Sequence, residues 1–394
     1  TMNFLKKIKH IGIITSAVVL TFTSCKKEFF DINDNPNSPK TVKLSEVLPT
    51  AQLAIGHAIG SDLKVAGGLW SQYWAQNFAA SQYKSYDQYN ISADAQRQAW
   101  NLLYADALTD LNYVIKLGTA EAKPNYVAIA TILKAYNFQV LTDAYGNVPF
   151  SEAGKGDEGI FSPKYDDQKD VYNGIIAMLK DGISQIDLTS AVHPEADDFI
   201  YHGDMHLWLK FANTTLLKIY LRISQVDPAK AQAGLAELKA TGAEFIDEGE
   251  TAKIDYYTAG GNTNPLYASY VALSTTRNIV ANSTGIKAFT KLSDDRLSKL
   301  YTPAGNSFVG IPSGYLGVPN TGGIATPPTS LSYASAITGA MPASESATAP
   351  VIFIADYESY FLQAEADARG WGVGSGTAEQ LYNDGIALSY EFLG

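Results

Sequence analysis

Two histidines four residues apart, three pairs of adjacent aspartates and one glycine-rich turn have spacings that invite a chemical reading. His202 and His206 stand at the i, i+4 spacing with which one helix face holds zinc, but Gly203 follows His202 where a zinc-protease helix needs Glu. Asp204 has the character of a helix cap, which leaves His202 outside the helix carrying His206, so no metal site is expected. Asp166-Asp167, Asp197-Asp198 and Asp294-Asp295 offer the carboxylate pair of glycoside hydrolysis. Adjacent acids more commonly cap helices or face solvent, and no apolar surroundings are evident that would raise one pKa. Gly372-Val-Gly374-Ser-Gly376-Thr377 has the glycine content of a phosphate loop, yet it follows a helix and lacks the lysine, which makes it a helix–helix turn. Asp31 to Pro39 resembles a calcium loop only superficially. Pro36 stands where the loop needs Gly, and Val42 where it needs the closing Glu. No Gly-x-Ser-x-Gly elbow occurs, and the single cysteine, Cys25, lies near the N-terminus. Elimination leaves binding rather than catalysis, with no cofactor.

The elements around these residues read as helices. Val47, Leu48, Ala51, Ala54, Ile55 and Ala58 form one stripe, and Trp70, Trp74 and Phe78 recur every fourth residue, which predicts a helix through 78. Trp100, Leu103, Tyr104, Ala107, Leu108, Leu111, Val114 and Ile115 predict a helix ending at Gly118. Pro124 opens the next, where Ala128, Ala130 and Ala135 let a neighbour approach closely. Further helices are predicted over 168–185, 204–222, 229–240, 355–369 and 378–392, the last capped by Thr377 with Gln380 three positions on. Short turns between these helices suggest tetratricopeptide-like pairs. Between about 241 and 350 the period is lost, apart from 286–300, and Gly, Pro, Ser, Thr and Asn become dense. So long a stretch should form its own irregular subdomain, and long ordered loops on a helical scaffold are where binding sites sit. Leu381, Gly385, Leu388 and Phe392 form an inner face that needs a further partner, which together with Thr1 before Met2 suggests a chain that continues past Gly394.

The chain has 394 residues with 29 basic against 40 acidic side chains, a net charge of −11 that argues against a nucleic-acid partner. Tyrosine dominates the aromatics, 24 against 16 Phe and 5 Trp, which suits a wet recognition surface because the ring packs while the hydroxyl stays solvated. At the N-terminus Lys6, Lys7 and Lys9 precede an apolar run from Ile11 to Phe22, shorter than the ~20 residues of a spanning helix. Thr23 and Ser24 lead into Cys25. This resembles a bacterial lipoprotein signal, with Phe22 where Leu is usual, and implies cleavage before an acylated Cys25. Several acyl chains on one cysteine would anchor the protein stably in a membrane. The polar run after Cys25 reads as an extended tether.

Four stretches, in order, resemble the SusD/RagB family of nutrient-binding outer-membrane lipoproteins: TILKAYNFQVLTDAYGNVPFSEA at 131–153, KYDDQKDVYNGIIAMLKDGISQID at 164–187, DFIYHGDMHLWLKFANTTLLKIYLRI at 198–223 and DYESYFLQAEADARGWGVGSGTAEQLYNDGIALSYEFLG at 356–394. The resemblance implies a mainly all-α fold in which tetratricopeptide-like helical pairs support an irregular, loop-rich ligand-binding subdomain. Its expected divisions are a signal peptide (1–24), a lipidated tether (25–44), a helical scaffold (45–240), the ligand subdomain (241–350) and a C-terminal helix pair returning to the scaffold (351–394). It also implies a cell-surface, lipid-anchored protein that captures a nutrient, most often an oligosaccharide, and passes it to a TonB-dependent β-barrel (SusC-like) transporter.

Sugars present flat C–H faces ringed by hydroxyls, so exposed aromatic rings stack on them while amides and Arg bond the rim. Tyr83, Tyr86 and Tyr89 are candidates, lying in a polar stretch with Gln82, Gln88 and Asn90. Tyr267, Tyr270, Arg277, Tyr315 and Tyr333 are alternatives in the loop-rich stretch. A lipid-anchored glycoside hydrolase and a helical scaffold that binds only peptide or protein stay open as other readings.

Overall fold

The computed structural model describes residues 42–258, 261–272, 277–320, 322–338 and 344–394. The expected signal over 1–24, Cys25, the calcium-like run and the tether up to residue 41 lie outside these described residues. Leu44, the last residue of the expected tether, already opens the first helix.

Helix α1 (Leu44–Gly60) accommodates Pro49 and buries Val47, Leu48, Ala51, Ala54, Ile55 and Ala58, the stripe read from the sequence. Helix α2 (Asp62–Trp70) follows after Ser61. Helix α3 runs from Arg97 to Ala120, with a π-helical stretch over Leu102–Ala107 between two α-helical ones. Gly118 lies inside it rather than ending it. Helix α4 (Pro124–Tyr145) is buried on nearly all sides from Asn125 to Thr142, the property of a helix enclosed by neighbours. Its alanines and the glycines opposite explain how. An ideal Cβ on Gly182 would fall 2.7 Å from Ile132 Cγ1, so the adjoining helix α5 (Gln168–Gln185) approaches closely only because that side chain is absent.

Helix α6 (Met205–Ile223) is capped by Asp204, whose carboxylate accepts from the His206 and Leu207 N–H groups. Helix α7 (Pro228–Ala240) starts with Pro at its first position, as Pro124 does in α4. Near the chain's end, α10 (Asp356–Ala368) packs on α6 and on α11 (Ala378–Leu393), whose N-cap Thr377 accepts from Gln380 N–H. Successive helices pack α1 on α3, α3 on α4, α4 on α5, α5 on α6 and α6 on α7. The fold is thus mainly helical with tetratricopeptide-like pairs, as the sequence suggested.

The loop-rich stretch is organised by a small sheet. Strands β5 (Ile279–Ala281), β6 (Tyr301–Thr302) and β7 (Tyr333–Ala334) come from within it, but the sheet's other edge is β1 (Trp74–Gln76), in the order β1-β5-β7-β6. Trp74 pairs with Ala281, and Gln76 with Ile279. The helix predicted through Phe78 therefore stops at Trp70. Gln72 takes a left-handed φ of 61°, which no continuing helix allows, and Trp74–Gln76 find their ladder partners far along the chain at Ile279–Ala281. Helices α8 (Ser283–Leu292) and α9 (Arg296–Leu300) divide the predicted 286–300 helix at Ser293, another left-handed residue. A hairpin of β2 (Val148–Pro149) with β3 (Tyr165–Asp166), and a pair of β4 (Ala252–Ile254) with β8 (Val351–Ile354), complete the strands.

Candidate functional site

The pairing of β1 with β5 brings Tyr83 and Tyr86, from the first group of candidates, against the cluster that holds Tyr270, from the second. After β1 the chain makes a short helical turn, Lys84–Asp87, and that turn is stitched to the loop-rich stretch by buried amides. Asn278 Nδ2 donates to Gln82 Oε1 at 2.9 Å, and Asn77 Nδ2 donates to the Arg277 carbonyl at 2.8 Å. Tyr83 N–H donates to Gln76 Oε1 at 2.8 Å. Asp87, itself buried, accepts from Gln76 N–H at 3.1 Å and Gly314 N–H at 2.5 Å. Burial pushes its carboxyl above the usual range despite those two bonds. The segment carrying Tyr83, Tyr86 and Tyr89 is therefore held from three sides rather than being a free loop.

Within that frame the rings divide sharply. Tyr270 is 2% exposed and Tyr315 4%, so neither ring faces solvent and both pack within the fold. The Tyr270 hydroxyl accepts from Ile279 N–H, fixing the start of β5, and its ring lies 6.3 Å from Tyr83. Tyr315 meets Phe78 edge-on at 5.6 Å. Tyr83 is partly buried against the same cluster, and burial, then Tyr270, Asp62 and Tyr86, push its phenol far above the usual range. Arg277 and Tyr333 form a pair of their own, the guanidinium 4.5 Å from the ring centre. Tyr267 is partly buried on the turn Tyr267–Val271, and no ring stacking joins it to the others.

At this place the exposed rings are Tyr89 and Trp70, which was not among the candidates, with partly buried Tyr86 between them and the core. Trp70 is 38% exposed and Tyr89 61%. Their rings are stacked at 6.5 Å and 17°, while Trp70 and Tyr86 lie 6.1 Å apart at 31°. Trp70 Nε1 donates to the Tyr86 carbonyl at 3.0 Å, which fixes the indole plane against the turn. The Tyr86 hydroxyl accepts from Gln96 N–H at 3.0 Å. Tyr89 has a left-handed φ of 55°, the conformation that reverses the chain after the turn and returns its ring to Trp70. Gln82, Gln88 and Asn90 are exposed beside these rings. Locked rings flanked by amides match what a sugar face and its hydroxyl rim require. No local signal marked Trp70, because its spacing from Trp74 and Phe78 is that of a buried helical stripe.

The residues first considered for catalysis have other occupations. Buried Asp198 accepts from Gln52 Nε2 and Trp208 Nε1, both at 2.7 Å, and from Ile200 and Gly203 N–H. Asp294 is held at a pKa of about 2 by hydrogen bonds from Arg296. Asp166 accepts from the Ser151 and Phe150 N–H groups, and its pKa is lowered although burial opposes this. Among the described residues no group of three or more His, Cys, Asp or Glu could hold a metal ion, and no helix is long and apolar enough to cross a membrane.

Residues 36–393 match the SusD-like family model described as starch-binding, associating with outer membrane. No curated protein matches the sequence. Among solved structures the chain is similar to a chitin-binding protein at 26% identity and a TM-score of 0.73, covering 89% of this chain and 75% of that one. It is also similar to a chitin-binding SusD homologue from Flavobacterium johnsoniae, at 22% identity and TM-score 0.73 over 89% and 70% of the two chains. A SusD homologue from Bacteroides vulgatus matches at 22% identity and TM-score 0.72, again over 89% and 70%. The ordered motifs, the helical pairs and the family match agree: this chain belongs to the SusD/RagB family, whose members associate with the outer membrane.

Proposed function

We propose that the protein captures an oligosaccharide on the Trp70–Tyr86–Tyr89 surface and delivers it, unmodified, to a TonB-dependent β-barrel transporter. The observation that carries this reading is the solvent-exposed stack of Trp70 and Tyr89, fixed by the Trp70–Tyr86 hydrogen bond. Rings set in place before binding lose little rotamer freedom when a sugar arrives. The likeness to a chitin-binding protein and the starch-binding description of the family support a glycan as the ligand class. Acylation of Cys25 would keep the protein at the cell surface beside its transporter. In this reading 45–240 and 351–394 serve as scaffold except for residues 70–96, which present the binding face with the 241–350 stretch supporting them.

A hydrolase needs a carboxyl that holds its proton near neutral pH, and the low pKa values of Asp166 and Asp294 weigh against either as that acid. The test is isothermal titration of the purified chain with chitin- and starch-derived oligosaccharides, combined with an assay for new reducing ends. Saturable binding without product is the expected result. Reducing-end release would favour the hydrolase, and no binding by any glycan of the panel would remove the capture role.

A further inference from the structure

A second group of rings adjoins the first. Trp100, at the start of α3, lies 4.5 Å from Tyr104, 5.0 Å from Tyr145 at the end of α4, and 6.4 Å from Tyr165 in β3, the last pair stacked at 21°. Rings from α4 and β3 thus converge on an indole of α3 that already packs on Tyr104 of its own helix. Tyr165 is 64% exposed, and Trp100, Tyr104 and Tyr145 are each partly exposed, so the group lies at the surface rather than in the core.

The group is built rigidly. The Tyr104 hydroxyl donates to the Pro149 carbonyl at 2.7 Å, tying α3 to the β2–β3 hairpin. Asp166, next to Tyr165, accepts from Ser151 N–H at 2.7 Å and Phe150 N–H at 3.1 Å, which fixes the strand that presents the ring.

Gln96 joins the two groups. Its N–H donates to the Tyr86 hydroxyl at 3.0 Å, and its carbonyl accepts from the Tyr145 hydroxyl at 2.9 Å. It holds a left-handed φ of 60°, a conformation glutamine seldom adopts. Since the N and O of one residue are separated by two backbone atoms, the two phenol oxygens lie at most roughly 10 Å apart. A linear glycan presents a flat C–H face at each of its residues, so rings that follow one another along a surface suit a chain better than a single sugar.

We propose that the Trp100–Tyr165 group is a second sugar-stacking subsite, continuous with the Trp70 surface through Gln96, and that the protein therefore selects linear oligosaccharides long enough to lie across both. This rests on the glycan reading above, adding a length preference and a residue, Tyr165, that sets it. Stacking at the second subsite contributes only when the ligand reaches it.

The experiment titrates disaccharides and hexasaccharides of the chitin and starch series into the wild-type chain, Tyr165→Ala, Tyr165→Phe and Trp70→Ala, with thermal melts to confirm folding. For the series that binds, the wild type is expected to hold the hexasaccharide at least about tenfold more tightly than the disaccharide, a difference of about 1.4 kcal/mol. Tyr165→Ala should erase most of that preference while the disaccharide affinity stays as it was. Tyr165→Phe should restore it, and Trp70→Ala should weaken both lengths. Trp70-dependent binding with a hexasaccharide affinity that Tyr165→Ala leaves unchanged would overturn the second subsite alone. Binding of neither length by the wild type would overturn the glycan reading, and the subsite with it.

Discussion

Gln82 and Asn278 face each other across 196 residues of sequence, the Asn278 amide donating to the Gln82 side-chain oxygen at 2.9 Å. Asn278 Oδ1 also lies 3.4 Å from both the Gln82 N–H and Gln76 Nε2. One buried amide thus ties the turn that carries the exposed rings to the start of β5. Asn278→Ala should cost about 1–3 kcal/mol, the penalty of leaving buried polar partners unmatched. It should also weaken glycan binding by loosening the turn. Chemical denaturation and titration calorimetry on the same preparation check both. Lost stability with unchanged affinity would confine this network to a structural role.

Trp70 does two things, and two substitutions separate them. Trp70→Ala removes the ring and should reduce glycan affinity by about tenfold or more, in line with aromatic contacts worth about 0.5–1.5 kcal/mol plus the loss of what they order. Trp70→Phe keeps an aromatic face but cannot donate to the Tyr86 carbonyl, so an intermediate loss is expected. Equal affinities for Phe and wild type would show that the hydrogen bond contributes nothing to binding.

Gly68 sits beneath Trp74. An ideal Cβ there would fall 2.3 Å from Trp74 Cε3, closer than real contacts permit, so α2 meets β1 only because position 68 has no side chain. Gly68→Ala should displace the indole and cost about 1–3 kcal/mol, as overpacking does, against any gain in helix propensity. Neighbouring Gly67 has open space around it, and Gly67→Ala should instead be neutral or stabilising. Urea melts of the two variants give the comparison. A stable Gly68→Ala would contradict the packing described here.

Asp198 collects donors from α1, from α6 and from its own loop, through Gln52, Trp208, Ile200 and Gly203. Asp198→Ala leaves these buried donors without an acceptor and should lower stability by about 3 kcal/mol or more. Glycan affinity of the protein that remains folded should be unaffected, because the residue supports the scaffold. A melting temperature equal to wild type would rule out this role.

Acid should loosen the junction of α9 with α11. Asp294 accepts from Arg296 and from the Tyr390 hydroxyl, while Arg296 also donates to Ser389 Oγ. Its pKa, about 2 against an ordinary 3.8, is depressed by folding. The stabilisation is therefore complete above about pH 4 and is lost as pH falls through 2. It should amount to roughly 1–2 kcal/mol, because Arg296 retains some solvent contact. Asp294→Asn should flatten the stability profile between pH 4 and 2, and melts across that range measure it. A profile as steep as wild type would assign the acid loss to other carboxylates.

The helical scaffold was legible because its signals are local. Pro124 at a first turn, Asp204 and Thr377 at caps, and stripes such as Leu103, Ala107, Leu111 and Val114 depend only on neighbours within one or two turns. The helix expected through Phe78 failed for the complementary reason. Trp70, Trp74 and Phe78 keep a helical spacing, but the ladder partners of β1 lie in β5, beyond the reach of any local pattern.

By itself, the sequence determined most of the scaffold helices, several of their caps, the motif order of the family and the kinds of side chain available to meet a sugar. Tertiary structure alone decided which rings meet solvent. Tyr89 and Tyr315 are the same residue type and neither lies in a periodic helical stretch, yet one is 61% exposed and the other 4%, since Phe78 and the sheet cover the second. Periodicity is written into the chain by the backbone's own geometry, whereas exposure depends on which distant segment comes to lie on top.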